Sequence, residues 1–159
     1  MSTKVDIGSH LMRMRVTGVV ALVVTVAVAL LAFALPYQGS VVASPATVTL
    51  VAAAASLWIG FSANRDAGSR LATIRRAFSV HGDEARLLRD HWLVYVVVIV
   101  RLQVMAVGGL VVALWGSGPR IGVWLLVLCA VMVALTWPTT RKTQLLLGRA
   151  RALRDDVQS

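Results

Sequence analysis

Residues 93–115 read LVYVVVIVRLQVMAVGGLVVALW, an apolar run interrupted by a single cation, Arg101. A hydrocarbon core of about 30 Å needs roughly 20 helical residues at about 1.5 Å each, and this run meets that length. Three further runs of similar length lie at Val16–Leu35, Val41–Ser62 and Ile121–Trp137. With 159 residues, 58% hydrophobic content and a mean hydropathy of +0.78, the chain has more apolar surface than one soluble domain can bury, so lipid must solvate the remainder. The sequence therefore reads as an all-α, polytopic integral membrane protein with four transmembrane helices. An N-terminal segment 1–15 precedes a membrane domain 16–137, and a basic tail 138–159 follows it.

The charges orient these spans. Lys4, Arg13 and Arg15 precede the first run, and Arg65, Arg70, Arg75, Arg76, Arg86 and Arg89 lie in the connection 63–91. Arg141, Lys142, Arg149, Arg151 and Arg154 follow the fourth run, so fourteen of the sixteen cations fall on one face. The positive-inside rule makes that face cytoplasmic, with both termini inside and Pro36–Ser40 and Gly116–Arg120 outside. All seven carboxylates share the cationic face, and no span contains one. Trp and Tyr favour the membrane–water boundary. Trp58, Trp92 and Trp137 are expected at inner ends, and Tyr37, Trp115 and Trp124 at outer ends. Fourteen arginines against two lysines in an Ala/Val-rich chain suggest a GC-rich genome and hence a bacterial plasma membrane.

Two features of the N-terminus need weighing. Arg13 and Arg15 ahead of an apolar stretch ending Ala32-Phe33-Ala34 have the form of a signal peptide. The roughly 19 residues from Val16 to Ala34 nevertheless exceed the usual apolar core of about 7 to 15, which favours a retained span. Gly8-Ser9-His10 has the form of a cloning scar, so residues 1–11 carry no weight in the sequence reading.

Short outer connections predict two antiparallel hairpins, spans one with two and three with four. In the long connection, Leu71, Ile74 and Phe78 recur at helical spacing opposite Arg70, Arg75 and Arg76. This predicts a basic amphipathic helix along the inner surface, broken at His81-Gly82. Asp83 then serves as N-cap, with Glu84 in the first turn, for a helix running through Trp92 into span three. Beyond Pro138, Leu145, Leu146, Leu147 and Leu153 with Arg149, Arg151 and Arg154 predict a second basic amphipathic helix. Arg70, Arg75, Arg76, Arg149, Arg151 and Arg154 are thus the candidates for contact with anionic inner-leaflet lipid or with a protein partner, although solvated faces that only enforce topology account for most of them. A homo-oligomer is a further possible partner. Nucleic acid is disfavoured, because no recognition module or aromatic-interleaved basic patch is present.

Arg101 and its neighbour Gln103 are the candidate functional residues within the membrane. Nine residues from Trp92 place Arg101 about 13 to 14 Å deep, where an arginine costs roughly 2.5 to 3.5 kcal/mol on the lenient scale. The spans offer it only neutral polar helpers: Gln103, Thr25, Thr47, Thr49, Ser56 and Thr136. Three outcomes follow: snorkelling to headgroups, pairing with another subunit's carboxylate, or attracting an anion. Ala52, Ser56 and Gly60, Ala130 and Ala134, and Gly108-Gly109 mark small faces for close helix approach. The single cysteine, Cys129, excludes an intrachain disulfide and reads as a packing residue.

Catalytic material is scarce. His81, Asp83, Glu84, Asp90 and His91 match no metal-ligand spacing, and no phosphate-cradling glycine motif or nucleophile elbow occurs, so neither metal nor cofactor is expected. Small multidrug transporters share the four-span size but require a membrane glutamate that is absent here. Vitamin K epoxide reductase-like enzymes need several cysteines, and alcohol phosphotransferases an aspartate-rich motif. The expected function is that of a non-enzymatic accessory or assembly subunit. An anion transporter or channel using Arg101 is the alternative, and a lipid-modifying enzyme is the least supported reading.

Overall fold

A computed structural model describes residues 7–36 and 43–158, and all regular structure among them is helical: α1 (Ile7–Ala34), α2 (Pro45–His81), α3 (Glu84–Trp115), α4 (Pro119–Leu135) and α5 (Thr140–Gln158). Three of these, α1, α2 and α3, are long and apolar enough to cross a membrane. A fourth crossing arises if α4 and α5, bent by 55° at their break, count as one span. Length and hydropathy together mark a multi-pass membrane protein. The sequence expectations for Tyr37 and Ser40 lie outside the described residues.

Side-chain size is distributed in a way that suits lipid. On α1, Met14, Gly18, Ala21, Thr25 and Ala32 face inward at three-, four- and seven-residue steps, while Val16, Val19, Val20, Val23, Leu30 and Phe33 point outward. Small residues let helix backbones approach, and the bulky apolar ones need no protein partner when lipid surrounds them. The inward pattern of Gly18, Ala21 and Thr25 was legible in the sequence and was missed, because Val and Ala fill the whole run.

The central helix is α3. It packs against α1, α2 and α4; α1 also packs against α4, and α2 against α5. The second expected hairpin, α3 with α4, is therefore formed. The first is not a closely packed pair, because α1 makes its main contacts with α3 and α4 instead. Close approach explains the α3 contacts. A Cβ on Gly108 would collide with Ser56, and one on Gly109 would come within 2.9 Å of the Gly122 carbonyl oxygen. Of the expected small faces, Ser56, Gly60 and Gly108-Gly109 pack in this way. Ala134 is exposed and Ala130 only partly covered; α4 instead turns Gly122, Leu126, Cys129 and Val133 into the core.

At the arginine-rich end the helices depart from the sequence expectation. The stretch around Arg70–Arg76 is not a separate surface helix, because α2 continues without a break for 37 residues. Nothing between Ser62 and Ser79 stops it, since the chain there has no proline and its one glycine, Gly68, tolerates helix. The break comes where expected. Gly82 adopts φ 67°, its N–H donates to the Phe78 carbonyl, and Asp83 accepts from Arg86 N at 3.1 Å to start α3.

Nor does α5 lie free along the inner surface with its leucines in lipid. Leu147 and Ala150 are buried against Phe78, Leu87 and Leu88, making a second apolar cluster that includes Ile7 and Ile74. Arg151 pairs with Glu84 at 2.7 Å, and the Arg154 guanidinium lies over Gly82. Hydrophobic burial therefore ties α5 to the α2–α3 turn and leaves Leu145 and Leu153 on the outside. Gly8-Ser9-His10 is part of α1, with His10 and Leu11 buried and Gly8 and Ser9 exposed.

Candidate functional site: the Asp66–Arg101 pair and the inner clefts

The α2–α3 contacts fix the level of Arg101. Gly60 meets Met105, Ser56 meets Gly108, and Thr49 meets Gly116 and Ser117, a steady antiparallel register. Continued inward, the register brings Arg101 beside Asn64–Asp66. Its Nη1 lies 2.5 Å from Asp66 Oδ2, with Arg101 one-third and Asp66 one-half exposed. From the sequence Arg101 has only neutral helpers within the spans, with snorkelling, another subunit's carboxylate or an anion as its outcomes. The partner lies in the same chain.

That reading erred because it measured depth along one helix. The apolar run of α2 ends at Ser62, level with Gln103, whereas that of α3 continues to Leu93, about 15 Å further. On the α1 side, Gly18 lies against Tyr95 and Trp137, so α1 agrees with α3. The polar boundary is therefore stepped. Arg65, Asp66 and Arg70 on α2 stand level with apolar residues of α3, and Asp66 meets the one cation that α3 carries there.

The other intramembrane candidate is not part of this pair. Gln103 is two residues from Arg101 and so points to a different face of the helix. Its Oε1 accepts from Thr25 Oγ1 at 3.3 Å, and its Nε2 is buried with no partner among the described residues. The single Thr25 hydroxyl proton is shared with the Ala21 carbonyl, 2.9 Å from Oγ1, and the Cys129 thiol donates to the Leu102 carbonyl at 3.1 Å. These contacts knit α1, α3 and α4 together in the core.

The aromatic belt is partial. Trp92 and Trp137 lie toward the arginine-rich end of the bundle and Trp115 at the opposite end. Trp58 and Trp124, 72% and 73% exposed, instead stand near the level of Gly108, within the α3 span. Trp92 Nε1 and the Tyr95 hydroxyl are buried with no hydrogen-bond partner among the described residues.

Two adjoining clefts open below Asp66. The first, about 270 Å³, is walled by Ala67 and Leu71 of α2, Val94, Tyr95 and Val98 of α3, and Leu135 at the end of α4. The second, about 340 Å³, shares Leu71, His91 and Lys142 with the first and adds Arg75 and Arg149. Lys142 Nζ donates to the Leu135 and Trp137 carbonyls at 3.0 and 3.1 Å, satisfying groups freed at the α4 break, where Pro138 cannot continue the helix. His91, just ahead of the apolar run of α3, sits 3.3 Å from His10, ring against ring. Burial, and then His10, push its pKa down to about 4, so it is neutral at pH 7.

The expected lipid- or partner-contacting arginines are thus divided. Arg75 and Arg149 line the second cleft, Arg70 lines a separate cleft that Asp90 also lines, Arg76 is exposed, and Arg151 and Arg154 fasten α5. The polar residues weighed for metal binding are spread over separate contacts. Asp83 caps α3, Glu84 holds Arg151, and Asp90 lies near Arg86 and Arg89 at 3.9 and 3.8 Å. Among the described residues no three His, Cys, Asp or Glu side chains gather closely enough to hold a metal ion. No family model, curated protein or solved structure matches the chain.

Proposed function

We propose that this chain is a non-enzymatic accessory or assembly subunit of a bacterial plasma-membrane complex, with both termini and the α2–α3 turn on the cytoplasmic side. The observation that carries this reading is the Asp66–Arg101 pair. An arginine neutralised by its own chain gives little attraction to a passing anion, which argues against a transport role and leaves it holding α2 to α3. The remaining polar core contacts, Thr25 with Gln103 and Cys129 with the Leu102 carbonyl, are likewise internal. Catalysis needs a general base or nucleophile free to face a substrate, and the two such groups lining both clefts, His91 and Lys142, are engaged with neighbouring groups. The cationic inner unit of α2, α3 and α5 is the surface through which such a subunit would meet its complex.

The test is purification of the tagged chain from its own membranes in mild detergent. A stoichiometric protein partner that survives size-exclusion chromatography supports the proposal. Recovery of the chain alone, with anion-dependent flux in liposomes, would replace it with the transport reading.

A further inference from the structure

Arg75, Lys142 and Arg149 come from two helices to line one cleft of about 340 Å³, and among the described residues no carboxylate lines it. Four other arginines at this end do have acidic neighbours: Arg151 has Glu84, Arg86 and Arg89 have Asp90, and Arg101 has Asp66. Bringing three cations together without a counter-charge costs electrostatic energy that a bound anion returns. His91 lines the same cleft as a neutral imidazole and does not add to the positive charge.

The shape of the space identifies the kind of anion. Leu71, His91 and Lys142 belong to both clefts, so the cationic chamber adjoins the apolar one walled by Ala67, Tyr95, Val98 and Leu135. A ligand that fills both must carry a negative headgroup and a hydrocarbon tail. The position suits such a molecule, because the cations stand near Trp92, at the inner end of the α3 run, with the apolar chamber on its membrane side. A free phosphate would use only the outer half. A zwitterionic lipid would bring its ammonium toward three cations.

We infer that the joined clefts between α2, α3 and the α4–α5 bend bind one glycerophospholipid of net negative charge, its phosphate at Arg75, Lys142 and Arg149 and an acyl chain along Leu71, Tyr95 and Val98. This site does not depend on the proposed subunit role. A chain without protein partners would still hold the lipid, and a subunit with partners could lack it, so the two ideas fail separately.

The experiment is native mass spectrometry of the full chain in detergent, titrated with phosphatidylglycerol, phosphatidylcholine of the same acyl chains, or glycerol phosphate. Three forms are compared: wild type, Arg75→Gln/Arg149→Gln in the cleft, and Arg13→Gln/Arg76→Gln on exposed surface. Lys142 is left intact because it also caps α4. One bound phosphatidylglycerol is expected, at least about tenfold weaker in the cleft variant and unchanged in the surface variant, tenfold being about 1.4 kcal/mol. Ala67→Trp, which fills the apolar chamber, is expected to weaken the lipid similarly. Circular dichroism on every form checks that helicity is retained, and the Ala67→Trp arm tests the site should the cleft variant lose it. Equal binding of phosphatidylcholine, equal loss in the surface variant, binding of glycerol phosphate as tight as that of the lipid, or lipid binding indifferent to Ala67→Trp would each overturn the assignment.

Discussion

Arg101 of α3 donates to Asp66 of α2 across 2.5 Å, joining the only cation within the α3 run to a carboxylate that lies beyond the apolar run of its own helix. The contact exists because the two apolar runs end at different levels. Asp66 is two residues nearer the arginine-rich end than the position opposite Arg101, so the long guanidinium side chain leans that way, as a membrane arginine does when it seeks polar surroundings.

Orientation is tested by cysteine labelling. In a Cys129→Ser background, single cysteines at Ser117 and Ala85, both exposed, report opposite ends of the bundle. An impermeant thiol reagent on intact cells is expected to label Ser117→Cys and to spare Ala85→Cys until the membrane is opened. Labelling only at Ala85→Cys would reverse the orientation.

Helix approach is tested with glycines. Gly122→Ala places a Cβ against the Gly109 carbonyl and 2.9 Å from the Ala113 methyl, and overpacking of this kind costs about 1 to 3 kcal/mol. Gly148→Ala meets nothing within 4 Å on α5 and is expected to add up to about 1 kcal/mol through helix propensity. Melting in detergent should therefore fall for the first and hold or rise for the second.

The attachment of α5 is tested by separating packing from charge. Leu147→Ala removes a buried side chain at a cost of about 2 to 5 kcal/mol, whereas Arg151→Gln removes an exposed ion pair worth about 1 kcal/mol or less. Limited trypsin digestion should clip the tail arginines quickly in the first variant and at nearly the wild-type rate in the second. The opposite order would mean that the Glu84 pair, not the apolar cluster, holds the helix.

Acid should loosen the arginine-rich end through the histidine pair. His91 is held near pKa 4 against about 6.5 unfolded, so its contribution is present above pH 6.5 and is lost as pH falls toward 4. Burial and Arg13 lower the pKa of His10 as well, in the same direction. Between pH 7.5 and 5.5 the loss from His91 is about 1 kcal/mol. His91→Gln should show a smaller fall in melting temperature over that interval than wild type, and an equal fall would remove His91 as the cause.

Legibility from sequence followed the type of signal. Long apolar runs, the Gly82 break, the Asp83 cap and the small residues Ser56, Gly60 and Gly108 were readable because each is a local property of one helix. What escaped depends on how helices sit against one another. Asp66 could not be matched to Arg101 without the α2–α3 register, and the exposed Trp58 and Trp124 were assigned to boundaries for the same reason. The apolar positions of α5 were legible, but hydrophobic spacing does not say whether lipid or the Phe78–Leu87 surface covers them. The two clefts at the arginine-rich end combine residues from five helices, and no local motif announces them.

The most direct test of the structural role assigned to Arg101 is a double-mutant cycle on melting in detergent or bicelles, with Arg101→Leu, Asp66→Leu and the double variant. Each single change leaves one charge without its partner, and the double removes both. The account predicts that both singles are destabilised, that the double recovers part of the loss, and that the coupling is about 1 kcal/mol, the upper end for pairs that keep contact with solvent. Arg101→Leu as stable as wild type, with losses that simply add in the double variant, would contradict it.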